Sequence, residues 1–399
     1  MQRSTTSALQ CPVSGSTEVE LFLDLPQVPV LCNVLYESRD DAIGAARGDL
    51  ELGYVPKSGH IFNTAFDPDK ITYAQTYENS LHHSPRFQEY ATGLADRLIE
   101  RYDVREKTVV DIGCGNGEFL GLLCERGDNT GVGYDPSYDP DSHREDDDRP
   151  FTVVQDLYSE KYADHSADLI CCRHVLEHVP DPLDFARTVR RAIGDRPDTV
   201  VYVEVPNALF TLREGALWDL IYEHYSYFTL PSLAYLFRRA GFEVVRVGEA
   251  FDGQYLQIEL RPGEPEEVPT LEGDLDPARV TEAVDRFTDR SQGKRDRWSD
   301  LFAEVDSQNQ KAVLWGAGSK GVTILNVIPE AADATEYVVD INPRKQGKHV
   351  AGAGHRIVPP SFLREYQPDL VVLMNGVYED EIRQTTRELG LDPEFVVAT

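Results

Sequence analysis

The chain has 399 residues, of which 69 are acidic and 39 are lysine or arginine, and its formal net charge is −30. This length predicts two or three domains, and the charge excludes a general nucleic-acid binder because phosphates would repel it. Such a surface suits concentrated salt, where repulsion is screened over roughly 3 Å at 1 M. We therefore expect a halophilic source, with an ordinary acidic bacterial enzyme as the alternative.

No stretch of the sequence reaches the roughly 18 consecutive apolar residues that a membrane-spanning helix needs, and the first residues lead into no apolar signal core. We therefore expect a cytoplasmic protein that binds neither membranes nor nucleic acid. Six cysteines are present, including the adjacent pair Cys171 and Cys172 in an apolar run. They are typical of buried free thiols rather than of a disulfide framework.

Residues 1–69 contain short apolar runs separated by proline and glycine, which predicts a small β-rich module. Two stretches in it share a pattern: Cys11-Pro12-Val13-Ser14-Gly15 and Val55-Pro56-Lys57-Ser58-Gly59. Both are similar to zinc knuckles of the C-x-x-C-G type that have lost three of four thiols, although accidental turn chemistry is an alternative. Zinc needs about four nitrogen or sulfur ligands. We expect no metal, because the remaining candidates are Cys11, Cys32 and His60.

The pattern of residues 70–262 changes to alternating helices and strands. Apolar side chains at spacings of three and four predict an amphipathic helix over Pro85–Tyr102. From Thr108 onward, strand-like runs alternate with helical ones, which favours right-handed βαβ units. We therefore predict an α/β fold whose central domain is a doubly wound, mostly parallel sheet with helices on both faces.

The remainder of the chain is predicted to contain a connector and a second α/β domain. Residues 263–310 begin with a proline-rich and glycine-rich break and continue as one long charged helix, predicted over residues 276–306. From Lys311 a second alternation of strands and helices starts. It predicts a smaller Rossmann-like domain over residues 311–399.

A glycine-rich turn, Gly113-Cys114-Gly115-Asn116-Gly117, follows the first predicted strand of the central domain, residues 107–111. The dinucleotide fingerprint is G-x-G-x-x-G, which seats a pyrophosphate on a helix N-terminus. This turn is G-x-G-x-G and is preceded by Asp111. A carboxylate at this place would oppose a pyrophosphate but could hold an amino-acid ligand that carries an ammonium or sulfonium group.

Two further acids close the next two predicted strands. Asp135 ends the second strand about twenty residues after the glycines, where a carboxylate can bind both ribose hydroxyls. Asp156 ends the third strand and is placed to accept a hydrogen bond from an adenine amino group. A single aspartate at a strand end is more often a helix cap. Three at one sheet edge beside a glycine turn indicate a ligand site.

These motifs, together with residues 167–181, resemble the class I methyltransferases. The resemblance implies S-adenosylmethionine as the cofactor. We expect the cofactor to be bound by Asp111, Gly113, Gly115, Gly117, Asp135, Asp156 and His174.

A second cluster of polar and aromatic side chains lies in residues 219–228, ahead of a helix predicted over residues 231–240. It contains Tyr222, Glu223, His224 and Tyr227. Histidine has an unperturbed pKa of about 6.5 and can transfer protons at neutral pH. The alternative is a histidine that is satisfied by Glu223 or Tyr227 in a corner of the core.

This E-H-x-x-Y-F segment, with residues 318–326 and 339–348, resembles the three-part sugar C-methyltransferases over nearly the whole chain. That family joins a zinc module, a class I domain and a Rossmann-like C-terminal domain, and it acts on nucleotide-linked keto-deoxysugars. The resemblance implies that His224 abstracts a proton beside a ketone, and that the enolate attacks the sulfonium methyl. It also implies that Glu223 orients or charges the imidazole, with His178 and Tyr77 in the same catalytic group.

The chain departs from the family pattern in two places. Residues 252–256 stand where the family often carries Gly-Gly-Ser-Leu, and the zinc ligands are missing. Three other functions therefore remain open. They are an O-methyltransferase acting on a sugar or other small acceptor, an NAD-linked sugar-modifying protein, and a non-catalytic module that binds S-adenosylmethionine.

The C-terminal domain has its own glycine turn, residues 316–321, with the spacing G-x-G-x-x-G and with Asp340 about twenty residues later. Alone, this pattern indicates a dinucleotide, but no Tyr-x-x-x-Lys or other hydride-site signature follows. Nearby cations favour the diphosphate of a nucleotide sugar, with a solvated loop as the alternative. We expect a monomer or a homodimer. The residues predicted to contact the substrate are Tyr222, Tyr227, Lys320, Arg344 and Lys345.

Overall fold

The structure, a computed structural model, describes residues 9–71, 77–138, 149–163 and 166–398. The N-terminal part is β-rich, as the sequence predicts. Its elements are β1 (Glu20–Pro29), α1 (Arg39–Ile43), β2 (Arg47–Val55) and β3 (His60–Asn63). The three strands pair antiparallel in the order β1-β2-β3. Leu50, Leu52 and Tyr54 lie at every second position of β2 and are buried, as the period of a strand requires.

Apolar packing stabilises the two knuckle-like stretches. Cys11, Val13 and Val55 are buried in one hydrophobic cluster. His60 is also buried, stacks on Phe62, and has a pKa lowered to about 3 by its burial, so its ring is neutral. In the described part of the chain, Cys11, Cys32 and His60 do not come together as a set of metal ligands.

The central domain begins with α2 (Pro85–Tyr102), which has the predicted bounds. The Ser84 hydroxyl accepts a hydrogen bond from the Phe87 N–H and caps the helix. The other helices are α3 (Glu118–Gly127), α4 (Pro182–Ile193), α5 (Ala208–Glu214) and α6 (Leu230–Arg239). The strands are β4 (Thr108–Ile112), β5 (Thr130–Tyr134), β6 (Phe151–Val154), β7 (Leu169–Arg173), β8 (Val200–Pro206), β9 (Ser226–Tyr227), β10 (Phe242–Ala250) and β11 (Tyr255–Pro262).

Seven of these strands form the central sheet, in the order β10-β11-β8-β7-β4-β5-β6. The five strands β4 to β8 are parallel, and β11 lies antiparallel between β8 and β10. Cys171 and Cys172 of β7 are buried in different clusters, which shows that both faces are covered. The predicted doubly wound sheet is therefore confirmed. Strand order reverses between β4 and β7, which is where ligands bind in such sheets.

The long charged helix is α7 (Ala278–Ser307), close to its predicted bounds. It leads to a parallel sheet of five strands in the order β14-β13-β12-β15-β16, which confirms a second Rossmann-like domain. Its strands are β12 (Ala312–Trp315), β13 (Thr335–Val339), β14 (Arg356–Val358), β15 (Leu370–Leu373) and β16 (Glu394–Val397). Its helices are α8 (Ser319–Val327), α9 (Pro329–Ala334), α10 (Leu363–Tyr366) and α11 (Glu379–Glu388).

Several contacts join the three parts. Strand β9, from the central domain, pairs with β3 and adds a fourth strand to the N-terminal sheet. Gln254 and Asn375 exchange two amide hydrogen bonds of 2.9 Å between the central and C-terminal domains. The Trp218 indole N–H donates to the Ala398 carbonyl at 3.0 Å. Among the described residues, no helix is both long and apolar enough to cross a membrane.

Replacing Trp218 with phenylalanine should lower the free energy of unfolding by about 2 kcal/mol, because the Ala398 carbonyl would lose its partner in a buried place. Trp218 is fully buried and packs edge-to-face on Trp298 at 5.5 Å. Urea unfolding measures the loss. Trp298→Phe is the control, because it removes a similar volume without removing this hydrogen bond. Equal losses in the two variants would contradict the prediction.

Candidate active site

A cavity of about 870 Å³ opens at the carboxyl ends of β4, β5 and β7. Its wall includes Gly113 and Gly115 of the central turn, Gly316 and Gly318 of the C-terminal turn, and Asn33 of the N-terminal part. Both glycine turns therefore face the same space.

The three glycines of the central turn have different reasons to lack a side chain. All three have positive φ angles, of 72° at Gly113, 56° at Gly115 and 87° at Gly117. A Cβ at Gly113 would lie 2.0 Å from Val175, and one at Gly117 would lie 2.5 Å from the Phe151 ring. A Cβ at Gly115 would meet nothing closer than 3.9 Å. Packing thus requires the outer two glycines, whereas Gly115 leaves room beside the backbone for a ligand.

Asp111, at the end of β4, is the acid best placed to attract a cation. It is only 3% exposed, and none of the described residues donates a hydrogen bond to its carboxylate. Burial raises the pKa of Asp111 to about 7, although the nearby Arg173 opposes this shift. A ligand ammonium or sulfonium in the cavity would favour the ionised form.

Asp135 supports the glycine turn and also lines the cavity. Its carboxylate accepts hydrogen bonds from the Gly115 N–H at 2.8 Å and from the Ser137 N–H at 2.8 Å. It is therefore held at the place expected for contact with ribose hydroxyls.

The structure does not support the predicted contact between Asp156 and adenine. The Asp156 carboxylate accepts hydrogen bonds from the Tyr162 hydroxyl at 2.6 Å and from the Lys161 ammonium at 3.0 Å. It turns toward these local donors, and it is not part of the described cavity wall. The neighbouring Leu157 and Tyr158 line the cavity instead, and the Leu157 side chain is 65% exposed.

His174 follows β7 and lies in the cavity wall between two buried carboxylates. Its Nε2 is 3.2 Å from Glu204, and its Nδ1 is 3.7 Å from Glu177. Burial alone would lower the pKa of His174, but hydrogen bonding with these two glutamates raises it to about 9. Arg173 also donates to Glu204, at 2.8 Å. His174 is thus an imidazolium at neutral pH, with its charge balanced inside the wall.

The two predicted catalytic histidines lie side by side in the cavity wall. The rings of His178 and His224 meet edge-to-face, with their centroids 4.9 Å apart. Burial, and after it the electrostatic effect of His178, lowers the pKa of His224 to about 3, so its imidazole is neutral. The Nδ1 of His178 lies 3.0 Å from the Glu223 carbonyl oxygen. Because a carbonyl only accepts, this Nδ1 carries the ring's proton.

We expected Glu223 to orient the His224 imidazole, but its carboxylate bonds to other groups. It is fully buried and accepts hydrogen bonds from the Tyr77 hydroxyl at 2.7 Å and from the Cys32 N–H at 3.0 Å. Its other close neighbour is the Nδ1 of His178, at 4.0 Å. The structure therefore groups Glu223 with Tyr77 and His178.

Neither predicted substrate-binding tyrosine offers its hydroxyl to the cavity. Tyr222 is fully buried, its hydroxyl accepts from the Asp67 N–H at 2.8 Å, and a Cβ at Gly48 would clash with its ring. Tyr222 is a core residue outside the described cavity wall. Tyr227 lines the cavity, but its hydroxyl donates to the Ile221 carbonyl at 2.6 Å.

The predicted cations beside the C-terminal turn have different environments. Lys320 lines the cavity and forms an ion pair with Asp219 at 3.0 Å, and Arg344 pairs with Glu78 at 3.2 Å. Lys345 is only 5% exposed, and its ammonium donates to the Ala317 carbonyl at 3.1 Å. All three cations line the cavity, where Lys320 and Arg344 are paired with acids and Lys345 also holds the turn.

The sequence did not single out Arg173, Glu177, Glu204 or Asp219. Each is an isolated charged residue in an apolar run or loop, and only folding shows its partners. Glu177, His178 and His224 have nitrogen and oxygen atoms within 4.8 Å of one another, and no other such trio occurs among the described residues. This spacing suits proton transfer as well as a metal ion.

Comparisons with known proteins identify two domains of the chain. Residues 84–247 match the family model of a methyltransferase domain, and residues 275–398 match that of a C-methyltransferase C-terminal domain. The C-methyltransferase NovU of Streptomyces niveus is 26% identical over 308 residues, which are 74% of this chain and 73% of that protein.

Two further similarities are more distant. The tRNA U34 carboxymethyltransferase of Aliarcobacter butzleri is 26% identical over 40% of this chain and 55% of its own length. The 1,6-didemethyltoxoflavin-N1-methyltransferase of Burkholderia thailandensis, a solved structure, is 20% identical over 45% of this chain and 80% of that chain. Its TM-score is 0.35.

The fold, the glycine turn with its acids, and the matched domain define an S-adenosylmethionine-dependent methyltransferase. The chain combines such a domain with a C-methyltransferase C-terminal domain, and it is similar to a C-methyltransferase over most of both chains. A zinc module is not part of what the matches show.

Replacing Asp111 with asparagine should stabilise the unliganded protein in a pH-dependent way. The pKa of Asp111 is about 7 when folded against an ordinary value of 3.8, so the wild type loses stability as pH rises between these values. The variant lacks this loss. Its gain in free energy of unfolding should reach roughly 2–4 kcal/mol at pH 8 and vanish near pH 4. Urea unfolding at several pH values measures the gain.

The same substitution should weaken binding of S-adenosylmethionine at least tenfold, because the ligand cation loses its carboxylate. Isothermal calorimetry at pH 8 measures the affinity. Asp195→Asn, at an exposed position far along the chain, is the matched control and should bind like wild type. Unchanged affinity of the Asp111→Asn variant would contradict the role of this acid.

Proposed function

We propose that this methyltransferase forms a carbon–carbon bond on a nucleotide-linked keto-sugar, with His224 as the base. One observation carries the proposal: a single cavity joins the cofactor turn, the two histidines and the glycine turn of the C-terminal domain. Its volume of about 870 Å³ lies near the upper end of ordinary ligand pockets, which suits two ligands at once.

In the proposed reaction, the neutral His224 imidazole takes a proton from the carbon beside the sugar ketone. The electron pair of that C–H bond forms the enolate, whose carbon then bonds to the methyl group. S-Adenosylmethionine supplies this methyl on a sulfonium, and the electrons of the broken C–S bond stay on sulfur. His224 acts only if it lies within hydrogen-bond reach of the proton, about 3 Å.

The nucleotide end is proposed to lie at the second glycine turn. The N-terminus of α8 opens there, and unpaired N–H groups at a helix start attract phosphate oxygens. Lys320 and Arg344 line the wall, and in the proposal they contact the phosphates while still close to their acidic partners, Asp219 and Glu78. In a chain with a net charge of −30, these cations favour a diphosphate group.

The direct test is incubation with methyl-labelled cofactor and a panel of nucleotide keto-sugars, in molar KCl because of the acidic surface. Mass spectrometry should find the label on carbon. His224→Ala should lose at least 100-fold in kcat, since general-base catalysis contributes about 10²–10⁴-fold. His355→Gln, whose ring bonds to backbone carbonyls of the C-terminal domain, should stay within twofold of wild type.

A label on oxygen with a fully active His224→Ala variant would refute C-methylation and favour an O-methyltransferase. No cofactor binding by calorimetry would refute enzymatic function altogether.

Replacing Lys320 with methionine should raise KM for the nucleotide sugar about tenfold, because the diphosphate would lose one charge-assisted contact. The affinity for S-adenosylmethionine should not change. Steady-state kinetics with each ligand varied in turn separates the two effects. Lys311→Met is the control, because this exposed lysine bonds to the Tyr366 carbonyl. An unchanged KM would contradict a diphosphate site at this turn.

A further inference from the structure

Glu177 is a buried acid in the wall of the cavity, and one of its oxygens has no partner. The residue is 2% exposed, and its Oε1 lies 3.7 Å from the Nδ1 of His174. Its Oε2 is inaccessible to solvent and accepts no hydrogen bond within the described part of the chain. A buried carboxylate oxygen without a donor is costly. The unpaired oxygen therefore indicates a function for Glu177 in the site.

Three histidines surround this carboxylate. His174 is already charged and bonded to Glu204. One ring nitrogen of His178 and one of His224 lie within 4.8 Å of a Glu177 carboxylate oxygen and of each other. The other charged or titratable groups facing this corner are Arg173, Glu204, Glu223, Tyr77 and Tyr227.

Glu177 is the nearest carboxylate with an oxygen to spare for His224. Both oxygens of Glu223 are engaged, by the Cys32 N–H and by the Tyr77 hydroxyl. Glu204 accepts from Arg173, Tyr90 and Tyr202 on the far side of His174. Of these three acids, Glu177 is therefore the one with a buried oxygen that has no hydrogen-bond donor among the described residues.

Proton abstraction by His224 would create an imidazolium in this poorly solvated wall. A new buried charge is strongly disfavoured unless an opposite charge and a hydrogen bond compensate it. Conversely, the protonated ring carries two N–H groups, so that one can point to the substrate while the other supplies the donor that Glu177 lacks at rest.

We propose that Glu177 is a positioning residue that orients and stabilises the protonated form of His224. When His224 takes the substrate proton, the unpartnered oxygen of Glu177 gains a hydrogen-bond donor. Glu177 stays ionised throughout, and the proton leaves His224 for water after the product departs. This inference rests on the proposed function.

The test is Glu177→Gln, which keeps the shape of the side chain and removes its charge. We expect kcat to fall about 30-fold, the effect of one hydrogen bond to a charged group. The KM values for both ligands should stay within twofold, because Glu177 is not proposed to contact either ligand at rest. Exchange of the substrate proton for deuterium in D₂O, followed by mass spectrometry with S-adenosylhomocysteine bound, should slow by the same factor.

Two further variants control for structural damage. Glu259→Gln alters a fully buried acid that pairs with Arg97 and Arg101 away from the cavity, and it should leave both rates unchanged. Glu177→Asp keeps the charge but shortens the side chain, and it should lose less kcat than Glu177→Gln does. If Glu177→Gln does not fold, a wild-type exchange rate in Glu177→Asp would refute the proposal.

Other outcomes also overturn the inference. A Glu177→Gln variant with wild-type kcat and exchange would show that His224 needs no carboxylate. Loss of wild-type activity with a chelator and recovery with a divalent ion would make the trio a metal site instead. If the wild type neither methylates nor exchanges any keto-sugar, the proposed function fails, which is distinct from an active wild type with an unaffected variant.

Discussion

The cavity wall depends on Glu204, a carboxylate with no exposed surface at the end of β8. Removing an ionised carboxylate from water costs several kcal/mol unless donors and opposite charges compensate it. Arg173 from β7 and Tyr90 from α2 donate to Glu204, and His174 adds a second positive charge. These bonds hold the pKa of Glu204 below its usual range although burial would raise it. They also fix the start of the loop that carries His178.

The candidate active site is built by more than the methyltransferase domain. Glu223 takes its hydrogen bonds from Tyr77 and from the backbone of Cys32, both of which precede that domain's first helix. The N-terminal sheet is in turn extended by β9, two residues after His224. The N-terminal part thus supports the loop that carries Glu223 and His224 by ordinary hydrogen bonds and apolar packing. Val55 stands where the zinc-knuckle pattern has a thiol, and it packs in the same hydrophobic cluster as Cys11. The loss of that thiol is therefore compatible with a structural role of this part of the chain.

The two glycine turns use the same support but differ in charge. Asp135 accepts from the Gly115 N–H at 2.8 Å, and Asp340 accepts from the Ala317 N–H at 2.9 Å. In both domains, an acid that follows the second strand therefore holds the glycine turn that follows the first strand. The preceding strand brings the buried Asp111 to the central turn and a tryptophan to the C-terminal one. This difference favours a cationic ligand at the first turn and permits an anionic one at the second.

Local sequence determined the elements of this protein, because periodicity and capping act over a few residues. The bounds of α2, both Rossmann-like sheets and the glycine turns were predictable for that reason. Only the tertiary structure decided which polar side chains face the cavity. Asp156, Tyr222 and Lys345 are hydrogen-bonded to other protein groups, while Glu177 joins the histidines. A side chain turns toward the donor or acceptor that folding brings near, and such partners often lie far away in sequence.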